Sequence, residues 1–279
     1  MFQDRRGKTF LALEDMSLRR LLNDAILFSR RVRVVSYPKS GRTWLRIMLH
    51  ELGFDPHFTH ADASYRKQSS PSEICNGMAR YYRCRIIFLI RDPLDVAVSL
   101  YHHALRRDTW RGSFDEFIRL SHQGFERVLA FNLGWLEHRD QFRDFIVISY
   151  EAMRTNPERC LRAVLNFMGA SHTPDPDIER VVMGNRFDAM KKREACGELR
   201  RRFGSRFSTG VVSDNLMVVR RGVVGGYRDE MTDEELEYCG ELMRRHKYLP
   251  RVRAAITEAD DLQANSFGLI NPGHGNPVG

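Results

Sequence analysis

Cysteine is scarce: the 279 residues hold five, with no Cys-x-x-Cys pair among them. An odd set at such spacing excludes a disulfide framework and a zinc ribbon, and fits the reduced thiols of a cytoplasmic protein. No apolar run is long enough to cross a bilayer, and Met1–Phe10 is polar where an export signal would be apolar. Neither stable membrane insertion nor secretion is expected. Internal repeats are absent, which excludes a repeat array. What remains is 42% hydrophobic and 29% charged, a globular composition long enough for one large α/β domain with a full core. The net charge of +8 suits an anionic ligand and leaves a nucleic-acid binder open.

The most informative stretch is Val34-Val35-Ser36-Tyr37-Pro38-Lys39-Ser40-Gly41-Arg42-Thr43-Trp44. It starts as a β-branched run, as a buried strand does. Pro38 has no amide to give to a ladder and breaks it. Leu45, Met48, Leu49 and Leu52 then recur at helical spacing. Strand, tight turn and helix follow one another, and the turn carries Lys39, Ser40 and Gly41. Free amides at a helix N-terminus attract an anion, Gly41 lets the backbone approach it, and Lys39 adds a full charge. The spacing is not that of the nucleotide-triphosphate loop, which needs a glycine four residues before its Gly-Lys-Ser/Thr end.

A second strand is expected over Arg85–Ile90, followed at once by Arg91-Asp92-Pro93-Leu94-Asp95 and a helix that carries Ser99. An arginine at a strand end and a hydroxyl on the adjoining helix are able to reach one phosphate. A third strand is expected at Phe145–Ile148, and Ser149-Tyr150-Glu151 leads from it into further helix. A third motif, Val218-Val219-Arg220-Arg221-Gly222-Val223-Val224-Gly225-Gly226, has the glycines for a turn whose amides approach a ligand.

Together, and in this order, these segments resemble the sulfotransferases that use 3′-phosphoadenosine 5′-phosphosulfate (PAPS) as donor and release adenosine 3′,5′-bisphosphate (PAP). The resemblance covers roughly residues 32–245. Tyr-Pro-Lys-Ser-Gly-Arg-Thr-Trp is similar to the family's 5′-phosphosulfate loop, with Arg42 where threonine is usual. Lys39 through Trp44 are thereby implied as donor ligands. Arg91 and Ser99 fall on the 3′-phosphate ligands, and Arg220, Arg221 and Gly222 on residues that complete that site. Gly226-Tyr227 departs from the family's Asp-Trp. Thr59-His60 occupies the place of the family's Thr-His pair, which implies His60 as general base; His57 and His50 are its rivals. Tyr150 and Phe187 are implied as neighbours of the adenine, with core packing as the competing reading of Phe187. Trp44 is implied to stack on that base.

The fold implied is a P-loop-like three-layer α/β/α domain with a central parallel sheet, expected over residues 1–258. Within it, residues 1–31 form a basic helical segment with Leu18, Leu21, Leu22 and Ala25 on one face; residues 259–279 form a flexible tail. The basic stretch from Lys191 to Arg206 is a solvated face, a lid, or an acceptor site. No metal is implied. The acceptor is a small molecule, lipid or glycan, and Phe58, Tyr65 and Tyr81 either line its pocket or belong to the core. A homodimer remains open, because Arg228–Glu237 loosely resembles the family's dimer segment. Two other functions stay possible: an ATP-dependent P-loop kinase, which would need magnesium, and a nucleic-acid binder, which would show steep salt dependence.

Overall fold

The structure, a computed structural model, describes residues 31–61, 63, 77–204, 207 and 222–257. The expected N-terminal helix, Tyr65, Arg206, Arg220, Arg221 and the 259–279 tail lie outside the described residues. The described chain runs β1 (Val32–Ser36), α1 (Arg42–Glu51), β2 (His57–Thr59), β3 (Arg85–Ile90), α2 (Pro93–Arg106), α3 (Phe114–Ile118), α4 (Phe125–Glu137) and β4 (Asp144–Ser149). It continues through α5 (Tyr150–Thr155), α6 (Pro157–Met168), α7 (Asp175–Gly184), α8 (Phe187–Ala195), α9 (Glu198–Phe203), α10 (Asp233–Arg245) and α11 (Tyr248–Thr257).

The four strands form one parallel sheet in the order β2-β1-β3-β4. Alternate side chains of each strand enter different layers. Val35, Ile86, Phe88 and Ile90 face α2, α4, α10 and α11, while Val32, Val34, Ile87 and Leu89 face α1, α6 and α7. Both faces are covered, which is why the strands read as unbroken apolar runs. The three-layer α/β architecture is therefore as the sequence implies.

Chain order and register place the site. From β1 the chain passes to β2 on one side of the sheet, then crosses back to β3 on the other, so the carboxyl ends of β1 and β3 flank a crevice where open α/β sheets bind ligands. Ser36 lies opposite Leu89, and Ile90 opposite Ser149. The segments that begin at Tyr37, Arg91 and Tyr150 thus leave the sheet at one edge.

Several boundaries differ from the sequence reading. The stretch from Leu105 to Arg111 reads in the sequence as a basic loop, yet helix α2 continues through Leu105 and Arg106, because buried Ala104 keeps that turn packed on the core. No sequence signal marked α11, yet Tyr248 and Val252 are fully buried in the core under α4. Tyr81 is buried against Trp135, with ring centroids 5.6 Å apart, and belongs to the core. Phe58 lies half-buried beneath the Arg46 guanidinium.

Candidate active site

The β1–α1 loop is anchored at its start. Tyr37 is buried and meets Phe131 edge-on at 5.3 Å. Lys39 (φ 72°) and Gly41 (φ 90°) both adopt the left-handed conformation, one on each side of buried Ser40. For lysine that geometry costs about 1 kcal/mol, strain that functional loops often hold. At Gly41 a Cβ would lie 2.5 Å from Cδ2 of Tyr150, so glycine is required twice over. Gly41 is also the N-cap of α1, where no side chain caps the helix and no acid occupies the first turn. The positive end of α1 therefore faces the loop without a resident carboxylate.

The junction after β3 is built differently. Asp92 caps α2 through the Leu94 amide at 2.9 Å, and its own amide donates to Glu151 at 3.0 Å. Arg91 turns toward the first loop. It donates to the Lys39 carbonyl at 3.3 Å and the Val223 carbonyl at 3.4 Å, pairs with Asp95 at 3.4 Å, and lies 4.3 Å from the centre of the Tyr150 ring. Its buried Nε–H has no hydrogen-bond partner. Asp95 is 3% exposed and accepts from the Gly225 amide at 2.9 Å and the Tyr227 amide at 3.1 Å. One carboxylate thus fastens the third motif to α2 beside Arg91. Burial, with Asp95 and Glu151 nearby, pushes the Asp92 carboxyl up to about 7.

An aromatic slot completes the edge. Trp44 meets Tyr150 edge-on at 6.1 Å, and the Arg154 guanidinium lies 5.9 Å from both the Trp44 and the Phe187 rings. A Cβ at Gly222 (φ 62°) would overlap the Phe187 ring. The Trp44 indole donates to the Asn185 carbonyl at 2.8 Å, and Asn185 donates in turn to Glu51 at 2.6 Å. Glu51 also receives Arg193 at 2.7 Å and Arg202 at 3.3 Å. These two arginines of the basic stretch clamp α8 and α9 onto α1, so the segment through Phe203 buttresses that helix. Leu199 and Phe207 add apolar contact with Ile47 of α1.

Nδ1 of His60 lies 2.9 Å from the Ser36 carbonyl. A carbonyl only accepts, so Nδ1 carries the proton and Nε2 holds the lone pair. Burial, then the cations Arg42, Arg46 and Lys39, push the imidazolium down to about 3, with the Ser36 bond acting the other way. The ring is neutral at physiological pH.

Residues from each of these segments border one cavity of about 360 Å³. From the first loop it takes Lys39, Gly41, Arg42, Thr43 and Trp44; from later segments it takes His60, Arg91, Ser99, Tyr150, Phe187 and Gly222. Ser40 is buried behind the loop. Sequence reasoning assigned no role to Asp95, Asn185 or Arg154, nor to His103, Arg106 and Arg107 at the far end of α2, all of which line it. The signal for Asp95 and His103 was their spacing, four residues before and four after Ser99, on one helix face.

The family model described as "Sulfotransferase domain" matches residues 79–250, more than half of the chain. The chain belongs to the sulfotransferase family. The matched segment begins after His60, so the first loop rests on its own geometry. Among related proteins, the luciferin sulfotransferase of Photinus pyralis is 25% identical over 72% of this chain and 67% of its own length. Cytosolic sulfotransferase 17 of Arabidopsis thaliana is 24% identical over 75% of this chain and 72% of its own length. Among solved structures, mouse sulfotransferase SULT7A1 complexed with PAP superposes with a TM-score of 0.57 at 21% identity, covering 82% of this chain and 88% of that one. The chain shares the sulfotransferase fold. No helix among the described residues is long and apolar enough to cross a membrane.

Proposed function

We propose that this sulfotransferase takes its sulfuryl group from PAPS and delivers it to a hydroxyl or amine of a small-molecule acceptor, with His60 as base and Lys39 at the leaving phosphate. The observation that carries the reading is the convergence of two separate βα junctions on one cavity, with Lys39 from the first and Arg91 and Ser99 from the second. A nucleotide with phosphates at both ends of its ribose needs such a pair. The residues fit it: the uncapped end of α1 suits the 5′ side, the unpartnered Nε–H of Arg91 suits a 3′-phosphate oxygen, and the slot beside Trp44, Tyr150 and Phe187 suits the base. Arg221 and Arg220, outside the described residues, are proposed to add to the 3′ site that Gly222 borders. A relative solved with PAP and another named as cytosolic support the same donor and a cytoplasmic setting.

The donor supplies an activated sulfuryl group. This chain's residues do the rest by position and charge, as expected for an in-line displacement with a loose transition state. His60 Nε2 accepts the acceptor's proton as the new bond to sulfur forms. Lys39, with the amides of Ser40 to Thr43, offsets charge growing on the phosphate oxygen as the old bond to sulfur breaks. Arg91, Ser99 and Gly222 hold the 3′ end, which ATP lacks.

Calorimetry compares PAP with ATP and with a short oligonucleotide. Tight binding of PAP alone is expected. Equal or tighter binding of ATP with magnesium would install the kinase reading instead, and steeply salt-dependent binding of the oligonucleotide alone the nucleic-acid one.

A further inference from the structure

Helix α2 runs along the cavity with Asp95, Ser99 and His103 on one face, and Arg106 and Arg107 on its closing turn. At 1.5 Å per residue, Arg107 stands about 12 Å along the axis from Ser99, too far to share the anion that Ser99 and Arg91 hold. His103 stands between them, within the electrostatic reach of Lys39 and His60. The face of α2 therefore runs from an anion site, past the reacting centre, to a second cationic end.

That end also borders a second cavity of about 310 Å³; His103 and Arg107 line both spaces. Leu100, Phe117 and Tyr37 supply apolar wall, and Arg127, 3% exposed and donating to the His122 carbonyl, supplies charge. Among the described residues that line it there is no carboxylate. The neighbouring Asp108 is held by Arg111 in a two-point pair at 2.8 Å. At the junction, Arg106 donates to Nδ1 of His103 at 2.8 Å, so the proton of that ring sits on Nε2. Burial, then Lys39, Arg106 and Arg107, push His103 down to about 3, which keeps it neutral. His103 is thus an N–H donor where His60 is a lone-pair acceptor.

A donor with several negative charges repels an anionic acceptor unless cations lie on the acceptor's far side. Arginines bordering a partly apolar space match an oxyanion, which takes their paired N–H groups; a neutral phenol or alcohol does not. We propose that the acceptor is itself an anion, carrying a carboxylate, phosphate or sulfate beside the hydroxyl or amine to be modified, with that oxyanion held in the second cavity by Arg107 and Arg127. The proposal rests on reading the first cavity as the donor site.

The test uses the full chain, loaded with PAP for calorimetry and supplied with PAPS for turnover followed by mass spectrometry. Probes are matched pairs: 4-hydroxyphenylacetate and its amide, glucose 6-phosphate and glucose, 6-hydroxyhexanoate and its amide. The expected result is that, in at least one pair, the anionic member binds at least about tenfold tighter and is sulfated with kcat/KM about ten- to a hundredfold higher. Arg107 is exposed, so its variants should fold. Arg107→Gln should remove most of the preference and Arg107→Glu should reverse it. The proposal is overturned by neutral members matching or exceeding their partners in every pair, by no anionic probe binding the PAP-loaded protein, or by a preference that Arg107→Gln leaves intact. Failure to bind PAP at all would instead remove the donor reading, and this inference with it.

Discussion

The two strand–helix junctions at the sheet edge reach similar ends by opposite means. After β1 the backbone is strained, left-handed at Lys39 and Gly41, and the N-terminus of α1 has no side-chain cap. After β3 the backbone takes no left-handed residue; Asp92 caps α2, Pro93 fills its first position, and Glu151 takes the Asp92 amide. The helix end there is closed by carboxylates, so an anion bound at this junction would have to be held by side chains, for which Arg91 and Ser99 are the proposed pair. One junction offers main-chain amides beside a lysine, and the other offers a guanidinium braced by a buried acid. Main-chain donors are set by the fold and suit a group whose charge changes during reaction. Side-chain donors suit a group that only needs to be gripped.

This contrast has a sharp consequence for Lys39. Replacing it with alanine removes the charge at the reacting end and also relieves no packing, since the lysine is only half-buried. Turnover should fall about 10²- to 10³-fold, with PAP affinity changed far less and the melting temperature little changed. Steady-state kinetics beside calorimetry reads both. A loss confined to affinity would erase the distinction between the reacting and gripping junctions.

The gripping junction should respond the other way. Asp95→Asn keeps the size of the side chain but removes the charge that pairs with Arg91, and leaves one oxygen in place of the two that take the Gly225 and Tyr227 amides. The 222–227 loop and Arg91 then lose their common anchor. PAP should bind about tenfold more weakly, while kcat at saturating donor stays within about twofold. Asp95 is a positioning residue, and a fall in kcat with unchanged affinity would contradict that role.

Much of this contrast was readable in the chain. The β-branched runs of β1 and β3, Pro38, and Pro93 after Asp92 locate both junctions, because strand burial and helix starts are local properties. The buttress was not readable. Lys191–Arg206 looks like a solvated or mobile charge run until Glu51, far away in sequence, is seen to receive Arg193 and Arg202. Asn185 likewise has no visible duty until it joins Trp44 to Glu51. The second cavity needs Tyr37, His103, Phe117 and Arg127 from four separate segments, and no local pattern announces such a meeting. Motifs mark candidate residues; the tertiary pairings that aim them appear only in the fold.

The last expected effect lies beneath Arg91 and is read in stability instead of turnover. Asp92 is buried, with Asp95 and Glu151 close by, and its carboxyl titrates near 7 instead of 3.8. Its folded pKa is raised, so the contribution to stability is complete below pH 3.8 and is lost as pH rises through 7. Asparagine keeps an oxygen to accept the Leu94 amide, remains a good N-cap, and never ionises. Asp92→Asn should therefore lie close to the wild type near pH 4 and become the more stable form as pH climbs, by on the order of 4 kcal/mol at pH 8. Urea unfolding at a series of pH values measures the difference. A gap that stays constant between pH 4 and 8, or that favours aspartate at pH 8, would mean that Arg91 and the Leu94 amide hold Asp92 ionised. The second junction would then be an ion-pair network, unlike the neutralised cap inferred from its burial.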